Sequence, residues 1–110
     1  MKIALDYDET YNAAPMLFKS FVLLAKEQGH LVTFVTYRTP YVGNSDIEAD
    51  ANELGIDIVF TSGVQKQHVF KADIWIDDSP ETIVSADLMG KMYDGCLASN
   101  DMVSLIGETK

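Results

Sequence analysis

The stretch Ile3-Ala4-Leu5-Asp6-Tyr7-Asp8 decides the fold, because it is a short apolar run that ends on acids. An apolar run of this length predicts a buried β-strand over residues 2–5. The same pattern returns at Ile74-Trp75-Ile76-Asp77-Asp78. If these strands belong to one parallel sheet, its functional residues should follow the carboxyl ends of the strands.

Between and beyond these two runs, helical and strand patterns alternate. Pro15 suits the first turn of a helix, Gly29 suits its end, and Ser45-Asp46-Ile47-Glu48 has the form of a capping box. The elements predicted after residue 5 are a helix over 15–28, a strand over 31–36, a helix over 45–54, a strand over 56–60, a short helix over 65–70, a strand over 74–76, a helix over 79–89, a weaker strand over 92–97 and a helical tail over 99–110. This alternation predicts an α/β fold in three layers, a Rossmann-like arrangement of a mainly parallel five-stranded sheet with helices on both faces.

Length, composition and charge restrict the class of protein. The 110 residues show no repeat or linker, so we expect a single domain over residues 1–110. No apolar run approaches the roughly 20 residues that cross a membrane, and the single cysteine, Cys96, excludes an internal disulfide. A cytoplasmic location is therefore the expectation. The net charge of −9 argues against general nucleic-acid binding.

Polar side chains follow the predicted strands at the points where the strands end. They are Asp6 and Asp8, Thr36, Lys66, and the pair Asp77 and Asp78. Several carboxylates in one cleft call for a cation, and Mg²⁺ binds such oxygens while it shares phosphate oxygens with a substrate. An ammonium and a hydroxyl beside that cation favour phosphoryl transfer, in which a carboxylate can act as the nucleophile.

These segments resemble the four motifs of the haloacid dehalogenase-like (HAD) superfamily. Asp6-Tyr7-Asp8-Glu9-Thr10 is similar to its Asp-x-Asp-x-Thr motif, and Phe34-Val35-Thr36 is similar to its apolar strand that ends in Thr or Ser. Lys66 has the placement of the third-motif lysine, and residues 74–78 resemble the strand that ends in an acidic pair. The resemblance covers roughly residues 2 to 83 and implies the HAD-like form of the Rossmann-like fold.

The resemblance implies a phosphomonoesterase that works through an aspartyl-phosphate. Asp6 would be the nucleophile, and Asp8 would be the general acid and base. Thr36 would hydrogen-bond the transferring phosphoryl group, and Lys66 would neutralise its charge.

The resemblance also implies Mg²⁺ as the cofactor. Asp6, the backbone carbonyl of Asp8 and the side chain of Asp78 would bind the metal. Asp77 would orient Lys66 or a metal-bound water.

Two assignments stay open in the sequence. Lys71 lies shortly before the strand over 74–76 and competes with Lys66 as the motif lysine. Arg38 and Tyr37 directly follow Thr36 and are candidate substrate contacts, but an exposed loop arginine would look the same.

Substrate choice in HAD enzymes often depends on an inserted cap domain, for which this chain has no room. Only about 20 residues separate Thr10 from the strand over 31–36, and one helix uses them. A capless single domain is therefore expected, with a nucleotide or another small phosphomonoester as the substrate and a homo-oligomer as a way to cover the site. Two alternatives stay open, namely a catalytically silent HAD-like binding or regulatory protein and a receiver-like phospho-acceptor domain. A receiver carries its phosphorylated Asp at the end of the third strand, where this chain has Phe60-Thr61-Ser62.

Overall fold

The computed structural model describes residues 1–83, which form a four-stranded sheet and two α-helices. The strands and helices are β1 (Lys2–Leu5), α1 (Pro15–Glu27), β2 (Leu31–Thr36), α2 (Ser45–Leu54), β3 (Asp57–Phe60) and β4 (Ile74–Ile76). Single 3₁₀ turns lie at Tyr11–Ala13, Lys66–His68 and Pro80–Thr82. Neither α1 nor α2 has the length and apolar character that a membrane span requires.

The sheet is parallel throughout, in the order β3-β2-β1-β4. The chain steps outward from β1 to β3 and then returns to the other side of β1, so the strand order reverses between β1 and β4. Ligands of open α/β sheets bind at the carboxyl ends of strands beside such a reversal. Leu5 lies opposite Ile76, and the amide of Asp6 donates to the Ile76 carbonyl at 2.9 Å. This register brings Asp6 and Asp77 out of the sheet side by side.

Both helices pack on the same face of the sheet. Their shared core consists of Ile3, Leu5, Tyr7, Tyr11, Val22, Ala25, Val32, Phe34, Ile47, Ala51 and Leu54. The crossovers from β1 to β2 and from β2 to β3 step in the same direction, and right-handed crossovers then place both helices on one side. The α/β fold with a parallel sheet is thus confirmed for residues 1–83, whereas the predicted helices on the opposite face are not seen within these residues. The predicted fifth strand over 92–97 and the tail over 99–110 lie outside the described residues.

Two predicted helices and one predicted helix cap differ from the structure. The chain at Pro80–Thr82 forms a 3₁₀ turn rather than an α-helix, and Ile83 leaves it with φ −101° and ψ 79°. The remainder of the helix predicted over 79–89 lies outside the described residues. The segment predicted as a short helix over 65–70 holds only the turn Lys66–His68.

The predicted capping box at the start of α2 is wrong. Ser45 is already the first residue of the helix, so its hydroxyl does not occupy the cap position, and the Asn44 side chain does not cap the helix either. The Glu48 amide donates to the Asn44 carbonyl at 2.9 Å, and the Ile47 amide donates to Asp46 Oδ1 at 2.8 Å. The carboxamide of Asn44 donates to the Thr39 carbonyl at 2.8 Å.

An aromatic cluster anchors the segment that follows β1. The Tyr7 ring stacks on Tyr11 at 5.7 Å between centroids and meets Phe34 edge-on at 5.2 Å. Its hydroxyl donates to Asp50 on α2 at 2.5 Å. Burial, and then the neighbouring Asp50 carboxylate, raise the pKa of Tyr7. Tyr7 is therefore fixed in the core, which restricts the positions of its neighbours in the chain, Asp6 and Asp8.

The end of α2 is stabilised by a lysine from α1. Gly55 closes the helix in the left-handed conformation, with φ 68°. The Lys26 ammonium donates to the carbonyls of Leu54 at 2.7 Å and Gly55 at 3.0 Å. A β-carbon at Gly55 would lie 2.8 Å from that ammonium.

We expect Gly55→Ala to lower the free energy of unfolding by more than Gly29→Ala does. Both glycines have a positive φ, 68° and 86°, so both substitutions carry about 1–2 kcal/mol of backbone strain. Only the substitution at Gly55 also displaces Lys26, because nothing lies within 4 Å of a β-carbon at Gly29. Urea unfolding measures both variants, and in a Lys26→Met background the excess cost at Gly55 should vanish. Equal costs in the wild-type background would show that Lys26 does not stabilise the end of α2.

Candidate active site

Lys66 is buried between two carboxylates at the carboxyl edge of the sheet. Its side chain is only 2% exposed, and its ammonium donates to Asp6 Oδ1 at 2.7 Å and to Asp77 Oδ2 at 2.6 Å. The chain leaves β3 at one edge of the sheet and enters β4 at the other, so the connection that carries Lys66 must cross β2 and β1. Burial alone lowers the pKa of Lys66, but the hydrogen bonds to Asp6 and Asp77 outweigh it and the net change is upward. Lys66 therefore stays charged.

Lys71, the other candidate for the motif lysine, lies away from these acids. It is exposed and lines a cleft with Met1, Lys2 and Asp73, at the amino end of β1. The Asp73 carboxylate accepts a hydrogen bond from the Lys2 amide at 2.7 Å. The cleft therefore lies at the amino ends of the strands, whereas the acids bound to Lys66 lie at the carboxyl ends. The geometry favours Lys66.

Asp6 is a buried carboxylate with a donor on each oxygen. Oδ1 accepts from Lys66, and Oδ2 accepts from the Thr10 hydroxyl at 2.9 Å. Burial raises the pKa of Asp6 to about 6, against the lowering effect of Lys66, and a contact with the Asp78 carboxyl adds to the rise. Sequence reasoning gave Thr10 no role, although its place at the end of the Asp-x-Asp-x-Thr pattern was the available signal.

Asp6, Asp77 and Asp78 form an acidic triad. Each offers a carboxylate oxygen, and these oxygens lie within 4.8 Å of one another. The side chains of Asp6 and Asp77 are buried and Asp78 is exposed, so the triad opens to solvent on one side. The Ser79 amide donates to Asp77 Oδ1 at 2.9 Å and holds that carboxylate in place.

The charge and chemistry of the triad fit a divalent cation. Three ionised carboxylates beside one ammonium leave a net charge of −2, which such an ion would neutralise. Carboxylate oxygens are the ligands of hard cations such as Mg²⁺, whereas zinc sites draw mainly on thiolates and imidazoles. The triad can therefore hold a metal ion.

The Asp8 carboxylate belongs to a different cluster, formed with Arg38 and Asp46. Arg38 Nε and Nη2 donate to the two oxygens of Asp8 at 3.0 and 2.7 Å. Nη1 and Nη2 donate to the two oxygens of Asp46 at 2.7 and 3.0 Å. The hydrogen bond from Arg38 holds the pKa of Asp46 at about 2. Sequence reasoning missed Asp46, which it counted only as part of a capping box.

Thr36 contacts the arginine cluster, and Tyr37 contacts Lys66. Thr36 is buried at the carboxyl end of β2, and its hydroxyl accepts the Arg38 amide at 3.2 Å. The Tyr37 ring centroid lies 4.9 Å from the Lys66 ammonium. Tyr37 is 42% exposed, so one part of the ring shields the lysine and another faces solvent.

Comparisons of the chain with protein-family models, curated proteins and solved structures gave no match. The likeness to the HAD superfamily therefore rests on the motifs themselves and on the places that their residues take in the fold.

We expect Lys66→Met to destabilise the metal-free protein by about 3 kcal/mol, because it leaves two buried carboxylates without their counter-ion. Lys71→Met is the matched control and should change the free energy of unfolding by no more than about 0.5 kcal/mol, since Lys71 is exposed. Urea unfolding in the presence of a chelator measures both. Similar values for the two variants would mean that Lys66 is not needed to hold the site together.

Metal binding should depend on pH in one direction. A cation bound to Asp6 has to displace the proton that burial favours there, and the pKa of Asp6 is about 6. The affinity for Mg²⁺ should therefore be constant above about pH 7 and fall by up to about tenfold per unit below pH 6. Calorimetric titration between pH 5 and 8 measures this, and an affinity that stays constant down to pH 5 would exclude Asp6 as a ligand.

Proposed function

We propose that this protein is a Mg²⁺-dependent phosphomonoesterase of the HAD type that acts through an aspartyl-phosphate on Asp6. The observation that carries the proposal is the state of Asp6 itself. It is a buried carboxylate that Lys66 and Thr10 hold by its two oxygens, and it lies beside two further acids where the strand order reverses. A carboxylate fixed in this way is suited to in-line attack, because its orientation costs nothing at the moment of reaction.

The remaining residues take the roles that the first step requires. Asp6 would attack phosphorus, and Lys66 and the Thr36 hydroxyl would hold the equatorial oxygens of the transferring group. Asp8 would give a proton to the departing alkoxide, and in the second step it would take a proton from the water that hydrolyses the aspartyl-phosphate.

The metal would be held by Asp6, Asp78 and the backbone carbonyl of Asp8, with Asp77 holding Lys66 in place. Bound Mg²⁺ would supply neutralisation of the phosphate charge at this position.

The substrate that fits best is a nucleotide or another small phosphomonoester. Within residues 1–83 the connections after β1 and β2 hold α1 and α2 and no inserted domain, so the site is open. The net charge of −9 opposes a polyanionic substrate such as a nucleic-acid strand.

A catalytically silent binding protein is the second candidate, and one contact favours it. Both oxygens of Asp8 are engaged by Arg38, so Asp8 can act as an acid only if one of these hydrogen bonds opens. The receiver-like alternative is disfavoured by the strand order, because receivers place β1 between β2 and β3. Here β1 lies between β2 and β4.

We expect the wild-type protein with Mg²⁺ to hydrolyse nucleoside monophosphates or p-nitrophenyl phosphate, and Asp6→Asn to lower kcat on the order of a thousandfold or more, as loss of a nucleophile does. Asp57→Asn is the matched control, since Asp57 is an exposed acid at the amino end of β3 and should leave kcat within twofold. Phosphate release measures both variants. If the wild type releases no more phosphate than Asp6→Asn, the enzyme proposal fails and the silent binding protein takes its place.

A further inference from the structure

Arg38 is fully occupied by the protein. Each of its three side-chain nitrogens donates to Asp8 or Asp46. Nη1 also approaches the Gly43 carbonyl at 3.3 Å and Asn44 Oδ1 at 3.5 Å. An arginine that contacts substrate needs N–H donors that are not already engaged, and those of Arg38 are hydrogen-bonded to other residues of the protein.

The two carboxylates take different edges of the guanidinium. Asp8 takes the Nε–Nη2 edge, and Asp46 takes the Nη1–Nη2 edge. Two-point pairing on both edges fixes the plane of the group as well as its position. The guanidinium carbon Cζ lies over the Tyr7 ring at 5.2 Å from its centroid, which restricts the group further.

Asp46 ties this cluster to a rigid element. It lies in the first turn of α2, beside Ile47, which is fully buried in the core. Asp8, by contrast, lies in a loop, and its side chain is 47% exposed. The Asp8 carboxylate, which lies in a loop, is therefore held in a defined position relative to α2 through Arg38 and Asp46.

We propose that Asp46 is a positioning residue of the phosphatase reaction, which fixes the general acid and base Asp8 through Arg38. This inference rests on the proposed function. During the acid step a bond forms between an Asp6 oxygen and phosphorus, the bond from phosphorus to the leaving oxygen breaks, and the proton of the Asp8 carboxyl passes to that oxygen. The Asp8 oxygen that gives the proton is turned toward the leaving oxygen during the transfer, while the other Asp8 oxygen keeps its hydrogen bond to Arg38. Asp46 holds the guanidinium meanwhile, and Asp8 returns to the same place when it accepts the proton of the attacking water.

The test compares Asp46→Asn with Glu48→Gln. Both acids lie in the first turn of α2, so each substitution removes one charge from the same helix end, and Glu48 is not a partner of Arg38. We expect Asp46→Asn to lower kcat about tenfold to a hundredfold with KM within about twofold, since a catalytic group displaced by about 1 Å costs that much. Glu48→Gln should leave both constants within about twofold, because it removes a charge from the same helix end without touching Arg38.

Arg38→Lys completes the comparison. Lysine keeps the charge but cannot pair with two carboxylates at two points each, so kcat should fall as it does in Asp46→Asn. The double variant should be no slower than the slower single variant, because the two residues act as one unit.

The outcomes separate the two proposals. A raised KM with unchanged kcat in Asp46→Asn would overturn the inference, because Arg38 would then contact substrate. Equal kcat in Asp46→Asn and Glu48→Gln would also overturn it, because Asp46 would then be only a charge at a helix end. Absence of hydrolysis by the wild type would instead overturn the phosphatase proposal, and this inference with it.

Discussion

The buried ammonium of Lys66 is the interaction on which the rest of the site depends. Moving one ion from water into a protein interior costs several kcal/mol, and only close, well-directed partners offset that cost. Lys66 has two carboxylates within 2.7 Å and an aromatic ring on a third side. The dependence is mutual, because Asp6 and Asp77 leave the sheet as neighbours and would repel each other without the lysine. The carboxylate of Asp6, the proposed nucleophile, is therefore buried and ionised only because the connection after β3 brings a cation to it.

Tyr7 separates the two chemical centres of the site. Its ring fills the core between Tyr11 and Phe34, so the acids before and after it belong to different surroundings. Asp6 is buried beside Lys66, whereas the Asp8 side chain is nearly half-exposed beside Arg38. Two carboxylates of the same type, two residues apart, can thus take different tasks because one anchored side chain divides them.

Much of the fold and of the candidate site could be predicted because the signals are local. Apolar runs and their polar ends mark β1 and β4, and the rule for parallel sheets then gathers Asp6, Lys66 and Asp77 at one edge. The capping box failed because the helix already includes Ser45, so the Glu48 amide donates to the Asn44 carbonyl rather than to the Ser45 hydroxyl. Asp46 was missed for a different reason, since its partner Arg38 reaches it only after the loop before α2 has folded back.

The spacing between the two chemical centres is set by backbone hydrogen bonds. The amides of Thr61, Ser62 and Gly63 donate to the carbonyls of Thr36, Arg38 and Tyr37 at 2.8, 3.1 and 2.9 Å. This pairing joins the loop that precedes Lys66 to the loop that carries Arg38. It also holds Ser62 at φ 52°, a conformation that costs a side-chain-bearing residue about 1 kcal/mol or more and persists only where its surroundings enforce it. Lys66, the partner of the proposed nucleophile, and Arg38, the partner of the proposed acid, are therefore held on two loops that are joined by hydrogen bonds. If the proposed function is correct, a substrate between them would meet groups whose separation is set before it binds.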